Sequence, residues 1–134
     1  MDHLPKQAKV VIIGGGVIGC SVAYHLSKLG WQDIVLLERK QLTSGTTWHA
    51  AGLIGQLRAT LNMTKLAMYS TELYNNLESE TGIATGYKRN GSLSLALTKE
   101  RFEELRRGAS MARNFGLETE ILSNNEIKKR YPML

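Results

Sequence analysis

The sequence has little that would staple or anchor it. One cysteine, Cys20, stands among 134 residues. No disulfide framework is therefore available within the chain, which fits a reducing compartment. Cys20 lies in an apolar stretch and is expected to be a small buried filler. Aromatic residues are few, 7% of the chain, and there are two prolines. No internal repeat or low-complexity segment is visible. No apolar run is long enough to cross a membrane: the best stretch, Val10 to Val22, is broken by four glycines and falls well short of a span. The start, Met1-Asp2-His3-Leu4-Pro5-Lys6, carries neither a signal-peptide pattern nor an Arg/Ser-rich transit stretch. The expected location is cytoplasmic, or the mitochondrial matrix in a eukaryote.

Charge is mildly one-sided, +5 from 17 basic and 12 acidic residues. The basic residues are scattered, and the densest run, Lys128-Lys129-Arg130, closes a short helical pattern where cations suit the helix dipole. A nucleic-acid partner would call for a clustered basic face, so none is expected. No metal site is expected either. With 43% hydrophobic and 22% charged residues, the composition is that of an ordinary globular domain.

The strongest local signals lie at the beginning. Lys9 to Ile13 is a continuous β-branched run, which predicts a central parallel strand covered on both faces. Gly14-Gly15-Gly16 follows. Val17 to Leu29 predicts a helix, ended by Gly30, and Asp33 to Leu37 a second buried strand. Strand, glycine turn, helix and strand within about thirty residues make one βαβ unit.

Further on, Met63 to Glu80 predicts an amphipathic helix. Its inward face is marked by Leu66, Tyr69, Leu73 and Leu77, with Ala67, Ser70 and Tyr74 beside them. Gly91 to Leu97 alternates leucine with small residues and predicts a half-buried strand. Lys99 to Phe115 predicts a helix with Phe102, Leu105, Ala109, Ala112 and Phe115 inward. Ser123 to Glu126 reads as a capping box opening a short last helix, which Pro132 stops.

The fold class is therefore α/β. The N-terminal βαβ of a Rossmann-like nucleotide-binding domain and its following segment occupy residues 1–60. The beginning of an α+β substrate or cap domain occupies residues 61–134. Two parallel strands do not make a sheet with its own core, so further strands are expected downstream in a longer protein.

Gly14-Gly15-Gly16-Val17-Ile18-Gly19 matches G-x-G-x-x-G, and its context matches as well: strand before, helix after, acidic residue ending the next strand. Gly14 permits the tight turn. Gly16 lets backbone approach a pyrophosphate. Gly19 lets helix and strand pack closely. The amides opening the helix, from Val17 and Ile18 onward, face the phosphates. Glu38 is placed to accept hydrogen bonds from the adenosine ribose hydroxyls. Its carboxylate disfavours the 2′-phosphate of NADP; Arg39 beside it would offset that only in part and is expected to reach toward solvent. The fingerprint alone leaves NAD and FAD open. A plain NAD dehydrogenase would continue with a second βα unit after Glu38, and the sequence does not.

Instead comes Leu42-Thr43-Ser44-Gly45-Thr46-Thr47-Trp48-His49-Ala50-Ala51-Gly52-Leu53. This run resembles the flavin-binding segment of the sarcosine and dimethylglycine dehydrogenases, within the wider D-amino-acid-oxidase-like FAD proteins. The resemblance continues through Leu77-Glu78-Ser79-Glu80-Thr81-Gly82 and Asn90-Gly91-Ser92-Leu93, covering nearly the whole chain; Trp48-His49-Ala50-Ala51-Gly52 is its most specific part.

The resemblance implies FAD as cofactor, joined covalently at its 8α carbon to His49. Ser44, Gly45, Thr46, Thr47, Trp48, Ala50, Ala51, Gly52 and Leu53 would line the cofactor, the small residues letting backbone approach and the hydroxyls donating to phosphate. His3 and His25 lack such a setting and are taken as structural or surface residues. The resemblance further implies oxidation of an N-methyl amine of the sarcosine or dimethylglycine type. The hydride passes to the flavin, an electron acceptor follows, and some relatives use tetrahydrofolate in a C-terminal domain. Arg58 is the candidate partner for a substrate carboxylate. The alternative is a non-catalytic relative resembling the regulatory subunit of pyruvate dehydrogenase phosphatase, which shares a run like Gly82-Ile83-Ala84-Thr85-Gly86-Tyr87 and is expected to lack the linking histidine.

Overall fold

The computed structural model describes residues 4–134; His3 lies outside the described residues. The chain separates into two compact units, one ending at Leu53 and the other spanning Ile54–Leu134.

The first unit contains β1 (Val10–Ile13), α1 (Val17–Lys28) and β2 (Ile34–Leu37). The strands are parallel, with Val10 opposite Ile34 and Ile13 opposite Leu37. A parallel pair needs a crossover, and α1 supplies it. The ladder is closed at one end by Lys9 N donating to Asp33 O at 3.0 Å and at the other by Gly14 N donating to Leu37 O at 2.8 Å. The C-terminus of α1 is a Schellman motif. Gly30, at φ +80°, donates to Ser27 O, and Trp31 N to Leu26 O, both at 3.0 Å, so the last carbonyls find partners.

The strand β1 is not covered on both faces as its composition suggested. Val10 and Ile12 are half-buried, while Val11 and Ile13 are 54% and 86% exposed. The reason is geometric. Successive side chains alternate between faces, and α1, the one α-helix among this unit's described residues, lies on the Ile12 side: a Cβ placed on Gly19 would touch Ile12 Cγ2 at 3.4 Å. Cys20 is likewise half-buried rather than buried, and its thiol donates to Gly15 O at 3.5 Å.

The second unit holds three helices, α2 (Leu61–Thr81), α3 (Lys99–Asn114) and α4 (Asn124–Arg130). Each opens on a hydroxyl that accepts from an orphan amide: Thr60 from Met63, Thr98 from Arg101 and Ser123 from Glu126. The box at α4 is complete, since Ser123 N also donates to Glu126 Oε2 at 2.7 Å. Gly82 closes α2 in the left-handed conformation. Gly116 and Leu117 close α3 by donating to Arg113 O and Ala112 O.

Two expectations need correction here. The buried stripe of α2 is rotated from the leucine and tyrosine face. Thr64 and Thr71 are its buried residues and Leu66 and Tyr69 are 58% and 52% exposed, while Ala67, Ser70, Leu73, Tyr74 and Leu77 are half-buried as expected. Threonine is tolerated inside because its hydroxyl is satisfied locally. Thr71 Oγ1 donates to Ala67 O at 3.0 Å, and Thr64 Oγ1 donates to Arg58 O and accepts from Arg58 N.

No strand forms over residues 91–97; Leu93 is half-buried, but Leu95 and Leu97 are 47% and 94% exposed. Alternation suits a half-buried strand, yet a strand also needs a neighbour to take its backbone groups. Among the described residues this unit contains none. The face of α3 is as read, with Ala112 fully buried, except that Phe102 is 43% exposed. No helix among the described residues is long and apolar enough to cross a membrane.

Candidate dinucleotide site

The glycine turn joins β1 to α1, and each glycine meets a different constraint. Gly14 takes φ +103°, a region that L side chains rarely enter. A Cβ on Gly19 would fall on the carbonyl oxygen of Gly14, so the helix can lie this close to the turn only without a side chain. A Cβ on Gly16 would stand 3.0 Å from Thr47 Oγ1. Gly15, which the fingerprint leaves unspecified, is buried, and a Cβ there would meet Leu42 Cδ2 and Glu38 Cβ. Spacing alone did not single it out; the sign was the unbroken triple glycine.

Glu38 ends β2 beside this turn. Its Oε2 accepts from Gly15 N at 2.8 Å and its Oε1 from Lys40 N at 2.9 Å. These amides, Gly15 first, hold the carboxyl below its ordinary value, with smaller help from Arg39. Glu38 is thus ionised at neutral pH. Each carboxylate oxygen has a second lone pair, so both remain able to accept from ribose hydroxyls.

The segment after Glu38 returns to the turn and attaches at two points. Thr43 N donates to Gly15 O at 2.8 Å, from a backbone at φ +65°. Thr47 Oγ1 accepts from Val17 N at 2.9 Å. That amide is one of the donors opening α1, whose own N-cap, Gly16, supplies no side chain. The amides of Ile18 and Gly19, next along, have no acceptor within the helix by its geometry. They are the donors a pyrophosphate would meet.

Between the attachments, Ser44 Oγ donates to Gln41 O at 2.8 Å. Gly45 then opens a 3-10 turn over Thr46–His49. His49 is exposed, with Nδ1 3.2 Å from Gly45 O. A carbonyl can only accept, so that contact requires the proton on Nδ1 and leaves the lone pair on Nε2. Trp48 is 76% and Leu53 89% exposed. Ala50 and Ala51 are exposed too, and Gly52 turns the chain at φ +74°. Val17, Ile18 and Arg39 are also exposed.

The two remaining candidates lie elsewhere. His25 is half-buried on α1, with Nδ1 2.7 Å from Ser21 O and its ring edge-on to Tyr24, a structural setting. Arg58 belongs to the second unit; its guanidinium donates to Leu57 O at 2.8 Å.

A tight glycine turn, a helix start with amides left over at Ile18 and Gly19, and an ionised acid closing the next strand define a Rossmann-type dinucleotide-binding unit. Its donors and acceptor fit FAD: the helix-start amides of Ile18 and Gly19 suit a pyrophosphate, and the Glu38 carboxylate suits ribose hydroxyls. The chain belongs to the FAD dependent oxidoreductase family (DAO), which it matches over residues 9–134.

Among curated relatives, it is 50% identical to the mitochondrial pyruvate dehydrogenase phosphatase regulatory subunit of Mus musculus, over 98% of this chain and 15% of that protein. It is 46% identical to the mitochondrial sarcosine dehydrogenase of Homo sapiens, over 98% of this chain and 14% of that protein. It is 42% identical to the mitochondrial dimethylglycine dehydrogenase of Rattus norvegicus, over 96% and 15%. The chain thus spans about 15% of the length of these relatives. In structure it resembles L-proline dehydrogenase from P. horikoshii, with a TM-score of 0.86 at 27% identity, covering 96% of this chain and 34% of that one.

Proposed function

We propose that this chain is the cofactor-holding front of an FAD-dependent dehydrogenase or oxidase acting on an N-methyl amino acid of the sarcosine or dimethylglycine class, with FAD joined covalently to His49. Residues 1–60 would hold the nucleotide and residues 61–134 begin the substrate domain. The observation that carries the reading is the exposed His49 ring, whose Nδ1 is 3.2 Å from the Gly45 carbonyl in a turn fastened to the start of α1. In this reading Nε2, the nitrogen that keeps its lone pair, is the nucleophile.

When bound, FAD supplies the two-electron acceptor for hydride leaving the N-methyl carbon. The protein's part is to hold and orient it. Glu38 receives the ribose, the amides of Ile18 and Gly19 receive the pyrophosphate, and Ser44, Gly45, Thr46, Trp48, Ala50, Ala51, Gly52 and Leu53 border the flavin. Arg58 is the proposed partner of the substrate carboxylate, and tetrahydrofolate the acceptor of the one-carbon unit in a further domain. The amine class comes from the relatives: sarcosine and dimethylglycine dehydrogenases, and a 4-methylaminobutanoate oxidase of Paenarthrobacter nicotinovorans at 45% identity. Their mitochondrial members support a matrix location in a eukaryotic cell.

A second reading rests on the 50% identity to the phosphatase regulatory subunit, a role exercised by binding a partner. One experiment separates them. The full-length protein and its His49→Ala variant are denatured in acid, and flavin fluorescence is read on the protein band. Fluorescence in the parent alone supports the linked amine dehydrogenase. Flavin released from both retains the FAD enzyme and removes the link. No flavin in either, bound or released, supports the regulatory reading.

A further inference from the structure

We infer that Thr47 is the positioning residue that delivers His49 to the flavin, making nucleotide binding and flavin attachment parts of one event; this rests on the covalent role of His49 proposed above. From Arg39 to Leu53, Thr47 is the one residue that is not exposed. It sits inside the Thr46–His49 turn, two residues before the histidine. Its hydroxyl reaches thirty residues back along the chain to Val17 N at 2.9 Å. The fit is close enough that any side chain at Gly16 would press on the same oxygen, at 3.0 Å.

The other attachment of the segment, Thr43 N to Gly15 O, is a backbone bond upstream of Gly45. It fixes where the segment starts; of the two attachments, only that of Thr47 lies inside the Thr46–His49 turn itself. Because its oxygen accepts from Val17, its own O–H proton remains available to an anionic oxygen at the start of α1. A pyrophosphate bound there would then tighten the same hydroxyl that holds the turn. Orientation of this kind lowers a barrier by placing the nucleophile beforehand.

The attachment step balances as follows. A bond forms between His49 Nε2 and the 8α carbon; one C8α–H bond breaks with its electron pair staying on the flavin, and that proton and the Nδ1–H proton both leave to solvent. The flavin is left two electrons richer, and dioxygen takes those electrons with two protons as hydrogen peroxide.

The test uses full-length protein prepared without flavin, as parent, Thr47→Val and Thr47→Ser. Each is saturated with FAD, and the rate at which fluorescence appears on the denatured band is followed. FAD affinity is measured separately in a His49→Ala background, where attachment cannot confound it. Valine keeps the shape and removes the acceptor; serine keeps the acceptor. The expected result is attachment slowed about tenfold or more in Thr47→Val at saturating FAD, with Thr47→Ser close to the parent in both attachment rate and thermal midpoint.

Parental rates in Thr47→Val, or equal slowing in Thr47→Ser, overturn the role of Thr47 while leaving His49 as the link. A parent that never acquires fluorescence on the denatured band overturns the His49 reading itself, and the positioning role with it.

Discussion

The two units of this chain are held in opposite ways. In the first, the bonds that shape the site cross the sequence: Glu38 to Gly15, Thr43 to Gly15 and Thr47 to Val17. In the second, helices are started and stopped by residues three or four positions away. Thr60, Thr98 and Ser123 act at their beginnings and Gly82 and Gly116 at their ends. The first unit's geometry is therefore a property of several segments at once. The second unit's helices are properties of their own short stretches. A ligand site needs the former, because donors converge on one point only when distant segments are brought together.

The contrast is broken most severely at Gly19. An alanine there places Cβ on the Gly14 carbonyl oxygen. Backbone cannot yield as a flexible side chain would, so Gly19→Ala should cost about 3 kcal/mol, the upper end for an overpacked site. The urea midpoint of the full-length protein measures it, together with loss of FAD.

Acid is the next probe. Glu38 is depressed below its usual 4.5, chiefly by Gly15 N. The folded state thus favours the carboxylate. Its contribution is present above pH 4.5 and fades as the pH falls through the lowered folded value. Glu126 is depressed as well, but by Ser123 within its own capping box. Glu38→Gln should therefore flatten part of the acid loss of thermal stability and weaken FAD binding at neutral pH, while the share from Glu126 persists. An unchanged acid profile would show that the Gly15 bond contributes nothing in solution.

The smallest effect has the opposite sign. Gly108 lies inside α3, and a Cβ there meets nothing within 4 Å. Gly108→Ala should stabilise the protein by about 0.5–1 kcal/mol through helix propensity, again read from the urea midpoint. The same substitution then has opposite signs in the two units, and a loss at Gly108 would mean that the second unit is packed more tightly than its exposure indicates.

Much of this was legible in the residues, though unevenly. The glycine fingerprint was readable because its constraint is strong: a positive φ at Gly14 and a contact with no room at Gly19 both favour glycine over any other residue. The capping box at Ser123 was readable because donor and acceptor are three residues apart. The leucine alternation at residues 91–97 misled, since the pattern describes one strand and a sheet needs two. The face of α2 misled because hydrophobicity marked the leucines, whereas satisfied hydroxyls let Thr64 and Thr71 go inside. Gly15 and Thr47 were indistinct for a third reason. One occupies a variable position of the fingerprint and the other is one hydroxyl among four in Thr43-Ser44-Gly45-Thr46-Thr47.

The sequence by itself determined the βαβ unit, its glycine turn, the acid that closes it, and the start and end of the helices. Each depends on φ preferences, side-chain volume or a bond spanning a few residues, which are written locally. Only the tertiary structure decided that Glu38 binds back to Gly15, that the Thr43 amide does so too, and that Thr47 caps a helix begun thirty residues earlier. Those outcomes depend on which segments meet in space, a property of the folded chain that no short stretch of residues carries.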